Sequence, residues 1–198
     1  YGVDKSMATL ENLYGIEIPF YARVNFTSLI TMVDSMGGID VESEYAFTTN
    51  GDGGAVINVQ QGTNHFNGKQ ALAFARERYS FTEGDRQRGK NQMAVITGVI
   101  NKMISPAVLN DFTGLMEGLE GSFESDIPYT DLAGLVRQQL SDGGSWNVVT
   151  YSADGTGSRA STYSMSSRLY VMIPDETTVD HAKELISQVE SGETLVQE

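Results

Sequence analysis

The sequence predicts an α/β protein, a layered α-β-α sandwich with helices over both faces of a mixed central sheet. Helical patterns alternate with short extended segments along the chain, as in layered α/β folds. A length of 198 residues with 40% hydrophobic content suffices for one domain with a sizeable core. No apolar run in the sequence approaches the roughly 18 residues that cross a bilayer, so no membrane-spanning segment is predicted.

The first half of the chain shows the alternation clearly. Apolar residues at helical spacing predict helices over residues 6–14, 26–36, 69–75 and 85–104. Alternating apolar residues and turn residues predict strands over 16–24 and 39–43 and a hairpin over 45–61. Asn25 is the expected N-cap of the second helix, with Phe26 on its core side. The hairpin turn contains Asn50-Gly51 and Asp52-Gly53-Gly54.

The second half is predicted by the same patterns. A helix starts at Ser105-Pro106 and runs to Gly121, and a second one follows its cap, Thr130. The other predicted segments are a linker or short extended piece over 122–128, the second helix over 131–140, strands over 146–153 and 169–173, a flexible loop over 154–167, and a last helix over 178–189 introduced by Pro174. The loop is predicted because residues 154–167 are rich in Gly, Ser and Thr.

Positive charge is concentrated in one stretch of an acidic chain. The formal net charge is −13, with 13 basic and 26 acidic residues. Residues 76–92 nevertheless hold five basic residues and three acids, namely Arg76, Arg78, Arg86, Arg88 and Lys90 with Glu77, Glu83 and Asp85. The overall charge disfavours nucleic-acid binding, which takes a broad basic surface. The cationic stretch therefore predicts a local function.

The geometry of this stretch suits a phosphate or pyrophosphate. Asp85 is the expected N-cap of the long helix, and Arg88 and Gln92 then lie one turn apart on one face. Free N–H groups of the first turn and the helix dipole favour an anion there, and arginine holds phosphate oxygens in pairs. A solvated helix face carrying arginines for solubility explains the same charges and spacing, so these leave both interpretations open.

Arg76 and Arg78 require a particular backbone to join this site. Two residues apart, they diverge by about 200° on a continuous helix but lie on one side of an extended chain. For both to reach one anion, the preceding helix is expected to end near Arg76.

Four further residues are of types that could bind an anion or a metal. Arg23 is interpreted as a solvated strand residue rather than a contributor to the anion site, and Arg159 as a secondary anion contact. Asp52 lies among glycines and is interpreted as a turn residue rather than a metal ligand. His65 has no His, Cys or carboxylate partner at ligand spacing and is interpreted as structural or solvated.

The stretch over residues 70–92 resembles the LytR-CpsA-Psr family. The family pattern is Gln-Ala-Leu on a helix, Ala-Arg-x-Arg, a short loop, and Gly-Asp-x-x-Arg-x-x-(Arg/Asn)-Gln. The matching segments here are Gln70-Ala71-Leu72, residues 75–78 and residues 84–92, with further resemblance at 10–13, 24–26 and 33–41, so that roughly residues 1–105 are covered. Asn91 departs from the many members that have arginine at this position. Lys90 beside it supplies a positive charge but not the forked guanidinium group of an arginine.

The resemblance implies the same layered fold and a particular domain composition. Members of the family begin this domain with strands that precede the point corresponding to Tyr1 and carry acidic metal ligands and a further arginine. Residues 1–198 are therefore expected to form a single domain of this type without its N-terminal half, with a motif core over about 1–105 and C-terminal helices and strands over 106–198. The metal ligands and a membrane anchor are expected in that N-terminal part, and the chain alone is expected to be inactive.

The function implied by the resemblance is that of a phosphotransferase. Family members transfer a glycopolymer, such as capsular polysaccharide or wall teichoic acid, from a polyprenyl pyrophosphate carrier to peptidoglycan with a divalent metal, Mg²⁺ or Mn²⁺. The expected location is the extracytoplasmic face of the membrane in a Gram-positive-type envelope. The expected partners are the lipid-linked polymer, the peptidoglycan acceptor, the membrane surface and the N-terminal half of the domain, with no nucleic acid.

The site residues follow from the matched motif. Arg76, Arg78, Arg88 and Gln92 are expected to bind the pyrophosphate, with the three arginines and Asp85 in the catalytic set. Asp85 either accepts a proton from the incoming hydroxyl or orients an arginine, or it serves only as a helix cap, and the functional and structural roles both stay open. The apolar faces of helices 26–36 and 93–104 either border a slot for the polyprenyl chain or belong to the core.

Two other functions are alternatives to transfer. A module that binds a polyprenyl-phosphate lipid without turnover would use the same arginines. A DNA-binding transcriptional attenuator is disfavoured by the charge and by the lack of a helix-turn-helix pattern with a basic recognition face.

Overall fold

The computed structural model describes residues 2–82, 84–121, 123–162 and 165–196. The helices of this described part are α1 (Val3–Tyr14), α2 (Phe26–Ser35), α3 (Gly68–Arg76), α4 (Gly84–Met103), α5 (Pro106–Leu109), α6 (Phe112–Gly118), α7 (Tyr129–Asp142) and α8 (Glu176–Glu190). The strands are β1 (Ala22–Val24), β2 (Ile39–Ser43), β3 (Phe47–Thr48), β4 (Asn58–Val59), β5 (Gly62–Phe66), β6 (Phe123–Ser125), β7 (Gly155–Thr162) and β8 (Met165–Pro174). None of the helices in these ranges has the length and apolar content that crossing a bilayer takes.

The α/β class is confirmed, while the strand pairing differs from the mixed central sheet that was predicted. The described strands form four two-stranded antiparallel sheets, β1–β6, β2–β5, β3–β4 and β7–β8. Parallel pairs arise where a helix crosses between neighbouring strands. Here β3 and β4 are joined by a loop with a turn at Gly51–Gly54, β7 and β8 are consecutive elements of the chain, and β2–β5 encloses the β3–β4 hairpin without an intervening helix. These connections favour antiparallel pairing.

The chain forms two compact units. One comprises residues up to Pro19 together with those from Asn147 onward and contains α1, α8 and the β7–β8 hairpin. The other comprises Phe20–Trp146 and contains the remaining helices and strands.

The core of the Phe20–Trp146 unit lies where α2, α3 and α4 pack with β2 and β5. Its largest fully buried apolar side chains are Val33, Ile39, Val41, Val59 and Phe74. Residues 39, 41 and 43 alternate inward along β2, as the period of a strand requires. Phe74 lies 5.5 Å from the Phe66 ring and 5.8 Å from the Phe47 ring, measured between centroids. Full burial of such a ring contributes about 2–3 kcal/mol, so Phe74 anchors α3.

Glycines allow the close approaches that fix α3 and α4. An added Cβ on Gly68 would lie 2.3 Å from the Ile30 carbonyl oxygen, so α2 and α3 meet backbone to backbone. The N–H of Gly68 donates to Asp34 Oδ1 at 2.7 Å. A Cβ on Gly98 would lie 2.6 Å from the Asp40 carbonyl oxygen, where α4 crosses β2. These contacts hold α3 and α4, whose ends carry the candidate arginines.

Several predicted elements are confirmed. Helix α2 begins after Asn25, whose side chain accepts from the Ser28 N–H, as predicted for the N-cap. Strand β2, the hairpin of β3 and β4, and helices α1, α3, α4 and α8 lie within a few residues of their predicted positions. The prediction that Phe26 lies on the core side of α2 was wrong, because this residue is 57% exposed.

Other predictions were wrong in extent. The strand predicted over 16–24 is confined to Ala22–Val24, the only part with a partner strand within the described residues. The helix predicted from Pro106 to Gly121 is two helices broken at Asn110 and Asp111. Short polar side chains such as these compete with helical hydrogen bonds. The helix expected after Thr130 begins at Tyr129 behind Pro128, whose fixed φ suits a helix start.

The Asn147–Glu198 part of the chain deviates most from prediction. Residues 146–153 have a strand pattern but adopt no regular structure, whereas β7 lies in the segment predicted as a flexible loop. Strand β7 is rich in small polar residues, so its sequence lacks the apolar alternation by which a strand is recognised. The segment Gly155–Thr162 is a strand because it pairs with β8.

The contact of α4 with β2 gives a testable pair of substitutions. Gly98→Ala forces a methyl group against the Asp40 carbonyl oxygen and is expected to lower the free energy of unfolding by about 2 kcal/mol. Gly89→Ala in the same helix meets no atom within 4 Å and is expected to raise it by about 1 kcal/mol through helix propensity. Urea unfolding of both variants measures the difference. Equal stabilities would contradict a close contact at Gly98.

Candidate functional site

Helix α3, which precedes the cationic stretch, ends at the position predicted from the sequence. Helix α3 stops at Arg76, and Glu77 takes extended dihedral angles, φ −66° and ψ 131°. The predicted end near Arg76 is therefore confirmed. Asn67 and Gln70 form a capping box at the other end of the helix, which fixes its start and so its phase. Arg78 leaves the helix on an extended segment.

Glu77, between the two arginines, organises the turn that follows. The residue is 2% exposed. Its Oε1 accepts from the N–H groups of Arg78 (3.0 Å), Tyr79 (2.7 Å) and Ser80 (3.0 Å), and its Oε2 accepts from the N–H of Asn50 (2.7 Å). Burial raises the pKa of this carboxyl, but the four N–H donors outweigh burial, and the net pKa is lowered. Glu77 is therefore a buried carboxylate that ties the 77–80 turn to the hairpin loop.

Two arginines and one carboxylate meet beyond this turn. Arg78 Nη1 lies 3.7 Å from Asp85 Oδ1, and Arg88 Nη2 lies 3.3 Å from the same oxygen. The side chains of Arg78 and Arg88 are 42% and 36% exposed, so each guanidinium retains access to solvent. One resident anion thus lies between two cations that come from different elements, the segment after α3 and the first turns of α4.

Aromatic rings support two of the guanidinium groups. Arg76 lies over the Phe26 ring at 4.6 Å, and Arg78 lies over the Tyr79 ring at 4.4 Å, measured to the centroids. Arg78 Nη2 also donates to the Tyr79 hydroxyl. The pKa of Arg78 is raised, first by this hydrogen bond and also by the charges of Asp85 and Asp52. Cation–π contacts of this kind restrict flexible side chains before any ligand arrives.

The predicted helix cap is corrected by the structure. Helix α4 begins at Gly84, so Asp85 lies inside its first turn rather than at the N-cap. Gly84 takes a φ of +32°, which glycine tolerates, and its N–H donates to the Phe81 carbonyl at 3.3 Å. This backbone turn starts the helix one residue early. The Asp85 carboxylate remains free to pair with Arg88 three residues along.

The departure at Asn91 has a structural explanation. Asn91 is 3% exposed, and its Nδ2 donates to the Phe74 carbonyl oxygen at 3.2 Å. The Gln87 side chain donates to Asn91 Oδ1 at 3.1 Å. Lys90 extends to Glu44 at 3.2 Å and does not replace an arginine at the site. The exposed Gln92 lies one turn after Arg88 on the same face of α4.

The structure brings some predicted residues together and separates others. Arg78, Arg88 and Asp85 form one cluster, while Arg76 stacks on Phe26 and joins neither ion pair of Asp85. Their roles toward a ligand stay predictions.

The remaining candidates have other surroundings. Arg23 pairs with Glu124, its cross-strand partner on β6, at the protein surface. His65 Nδ1 lies 2.7 Å from Asp40 on the neighbouring strand. The N–H of Asp52 donates to the Asn50 side chain at 3.0 Å in a turn, as predicted. Arg159 lies on β7 rather than in a loop.

The described residues do not fit a divalent metal on their own. No group of three or more His, Cys, Asp or Glu side chains with the geometry to hold an ion occurs within them. Two acids of the 76–92 stretch are engaged already, Glu77 by four N–H donors and Asp85 by two guanidinium groups.

Sequence reasoning missed three contributors to this site. Glu77 stands in a run of charged residues, and nothing in one sequence distinguishes a buried acid from an exposed one there. Phe26 supports the guanidinium group of Arg76, which is distant in sequence, and Tyr79 supports that of Arg78, its neighbour in the chain. The one signal in the sequence for these contacts was the aromatic residue directly after Arg78.

Comparisons with known proteins agree on one family. The model of the LytR_cpsA_psr family matches residues 1–185. A Bacillus anthracis protein named "Polyisoprenyl-teichoic acid--peptidoglycan teichoic acid transferase TagU" is 34% identical over 126 residues, covering 64% of this chain and 40% of its own length. Its Bacillus subtilis counterpart of the same name is 27% identical over 190 residues, covering 96% of this chain and 58% of its own length.

Solved structures give the same result for the fold. The crystal structure of B. subtilis TagV matches with a TM-score of 0.73 at 26% identity, covering 98% of this chain and 72% of that one. The matched region thus spans about half the length of the two curated relatives.

The hydrogen bonds of Glu77 predict an acid-dependent loss of stability. Glu77→Gln removes a buried charge from four N–H donors and is expected to lower the free energy of unfolding by about 2 kcal/mol at neutral pH. Because the folded pKa is lowered, this contribution is complete above the unfolded pKa of about 4.3 and disappears as pH falls through the folded pKa. Urea unfolding as a function of pH measures it. The exposed Glu117→Gln serves as control, and a pH-independent difference would contradict the assignment.

Proposed function

Because this chain belongs to the LytR-CpsA-Psr family, we propose that it takes part in transferring a cell-envelope glycopolymer from a polyprenyl pyrophosphate carrier to peptidoglycan. The names of its relatives as teichoic acid transferases support this substrate class. The reaction would take place at the extracytoplasmic face of a Gram-positive-type envelope. A teichoic-acid-like polymer is the donor and a peptidoglycan hydroxyl the acceptor.

One observation carries the proposal, the convergence of Arg78 and Arg88 on a single oxygen of Asp85. Two guanidinium groups that already share one anionic oxygen have the spacing to share a phosphate oxygen. Paired arginines suit a pyrophosphate because each fork engages two oxygens. The exposed Gln92 and the first-turn N–H groups of α4 supply further donors.

The chemistry requires charge neutralisation more than covalent assistance. The acceptor hydroxyl oxygen forms a bond to the phosphorus that carries the polymer, and the bridging P–O bond breaks. The lipid monophosphate leaves with that electron pair, and the hydroxyl proton passes to a base. Arginines that are fixed before the ligand binds stabilise the negative charge on the transferring group by several kcal/mol. The rings of Phe26 and Tyr79 contribute this fixation for Arg76 and Arg78.

Asp85 suits a positioning role in this scheme. Its carboxylate pairs with both Arg78 and Arg88, so it sets the distance between the two guanidinium groups. Both ion pairs use Oδ1, so a role in proton acceptance would fall to Oδ2.

The divalent cation implied by the family, Mg²⁺ or Mn²⁺, would take its ligands from groups outside the described residues. It would supply further neutralisation of the pyrophosphate.

Pyrophosphate binding tests the site without requiring turnover. Arg78→Ala and Arg88→Ala are each expected to weaken binding of inorganic pyrophosphate about tenfold, since each loses a charge-assisted contact. Isothermal titration calorimetry measures the affinities. Arg137→Ala, at an exposed arginine of α7, is the matched control and is expected to bind normally. Unchanged affinity for pyrophosphate in both the Arg78→Ala and Arg88→Ala variants would contradict the proposed anion site.

Transfer activity of the full-length protein tests the mechanism. Arg88→Ala is expected to cost about 3 kcal/mol of transition-state stabilisation, a loss of about a hundredfold or more in rate. Arg88→Lys keeps the charge but not the fork and recovers only part of the rate. Gln92→Ala loses a neutral hydrogen bond and costs about 1 kcal/mol. Rates are measured with a lipid-linked polymer as donor and peptidoglycan as acceptor.

Stability is the control for this series, because none of the three changes removes core volume. Near-normal transfer by an Arg88→Ala protein that unfolds easily would make Arg88 a structural residue. Binding of the lipid pyrophosphate with no turnover in the wild-type protein would identify a binding module instead of a transferase.

A further inference from the structure

The β7–β8 hairpin has one face that is open to solvent and differs in character from the rest of its unit. Alternate residues of β7 and β8 are exposed, and cross-strand pairing places them on one face. The members of this outer face are Gly157, Arg159, Ser161, Arg168, Tyr170 and Met172. The residues between them, including Ala160 and Leu169, are half-buried on the other face. The hairpin therefore has a defined inside and outside.

Tyr170 forms a flat platform on the outer face. A Cβ on Gly157 would lie 2.8 Å from the Tyr170 hydroxyl oxygen and 3.0 Å from its Cε2, so the ring lies directly over the glycine backbone. This arrangement covers the glycine and holds the ring against the sheet. Tyr170 is still 74% exposed. One face of the ring is thus supported by backbone while the rest is available to a ligand.

Both charged residues of the hairpin are arginines on this same face. Residues 155–174 contain Arg159 and Arg168 and no acidic residue, whereas the rest of the unit is rich in Asp and Glu. Arg159 is the cross-strand partner of Tyr170. Arg168 Nε donates to the Arg159 carbonyl oxygen at 3.1 Å, which fixes the Arg168 guanidinium across the strands. Two cations therefore flank the exposed ring.

We propose that the outer face of the β7–β8 hairpin binds a sugar–phosphate polymer, with a sugar ring stacked on Tyr170 and phosphodiesters at Arg159 and Arg168. The C–H face of a sugar ring is apolar and packs on an aromatic face, while guanidinium groups bind phosphate oxygens in pairs. A nucleic acid fits less well, because it takes a broad basic surface that this acidic chain lacks. The choice of polymer rests on the proposed function, but the surface shares no residue with that proposal.

The test uses the whole chain and a glucosylated poly(glycerol phosphate) oligomer as probe. Arg159→Gln removes one flanking charge, and Tyr170→Leu keeps an apolar cover over Gly157 but removes the flat ring. Each is expected to weaken binding about tenfold, as removal of a buried arginine or tyrosine contact does at other interfaces. Lys183→Gln removes one positive charge from α8 of the same unit and is the matched control, expected to bind within about twofold of wild type.

Three competitors define the chemistry that is recognised. A neutral glucose oligomer, inorganic polyphosphate and a single-stranded oligonucleotide of equal length are each expected to bind about tenfold more weakly than the probe, because each lacks one of the two features or their spacing. Equal binding of any competitor overturns the assignment of a sugar–phosphate ligand. Probe binding that survives both substitutions overturns the site. Circular dichroism and thermal unfolding of each variant show that the hairpin is intact.

This outcome is separable from that of the transfer reaction. If Arg88→Ala abolishes transfer while Arg159→Gln and Tyr170→Leu bind the probe normally, the hairpin inference fails and the proposed function stands. If both hairpin variants lose the probe while the full-length protein transfers no polymer, the hairpin site stands and the proposed function fails.

Discussion

The candidate site depends on one buried carboxylate. Glu77 collects four backbone N–H groups, three from the turn that follows it and one from the loop at Asn50. An ionised group at 2% exposure is costly to bury without such donors. Because the donors are backbone groups, satisfying the charge fixes the path of the chain itself. The positions of Arg76 and Arg78 on either side follow from that path.

This arrangement links the core to the arginines in a short series of contacts. Phe74 is buried in the core, its carbonyl oxygen accepts from Asn91 of α4, and α3 ends two residues later. Gly68 lets α3 lie against the α2 backbone, and α2 presents Phe26 beneath Arg76. Packing that serves stability therefore also orients the cations. The site owes its rigidity to the fold rather than to the exposed ion pairs, which contribute little by themselves.

The sequence predicted most of the fold where periodicity is strong. Helices α2 and α4 and strand β2 have regular apolar spacing and were located within a few residues. It failed at β7, whose small polar residues become a strand only through pairing with β8, and at residues 146–153, which have strand character but no partner within the described structure. Strand pairing is a long-range property, and local pattern cannot supply it.

The same limit explains the outcome at the site. Spacing predicted that α3 would end at Arg76 and that Arg88 would lie in the first turns of α4, because both are local properties. The meeting of Arg78 and Arg88 at Asp85, the ring beneath Arg76 and the burial of Glu77 depend on how three elements pack. The position of Asp85 depended on the dihedral angle of Gly84, which no composition rule gives.

The carboxylate between Arg78 and Arg88 has a further consequence for the proposed function. A phosphate bound there as proposed would displace an anion that is covalently attached to the chain and returns without diffusion. This competition would lower the affinity and speed the departure of the phosphate, so a site of this design would favour repeated use over long residence.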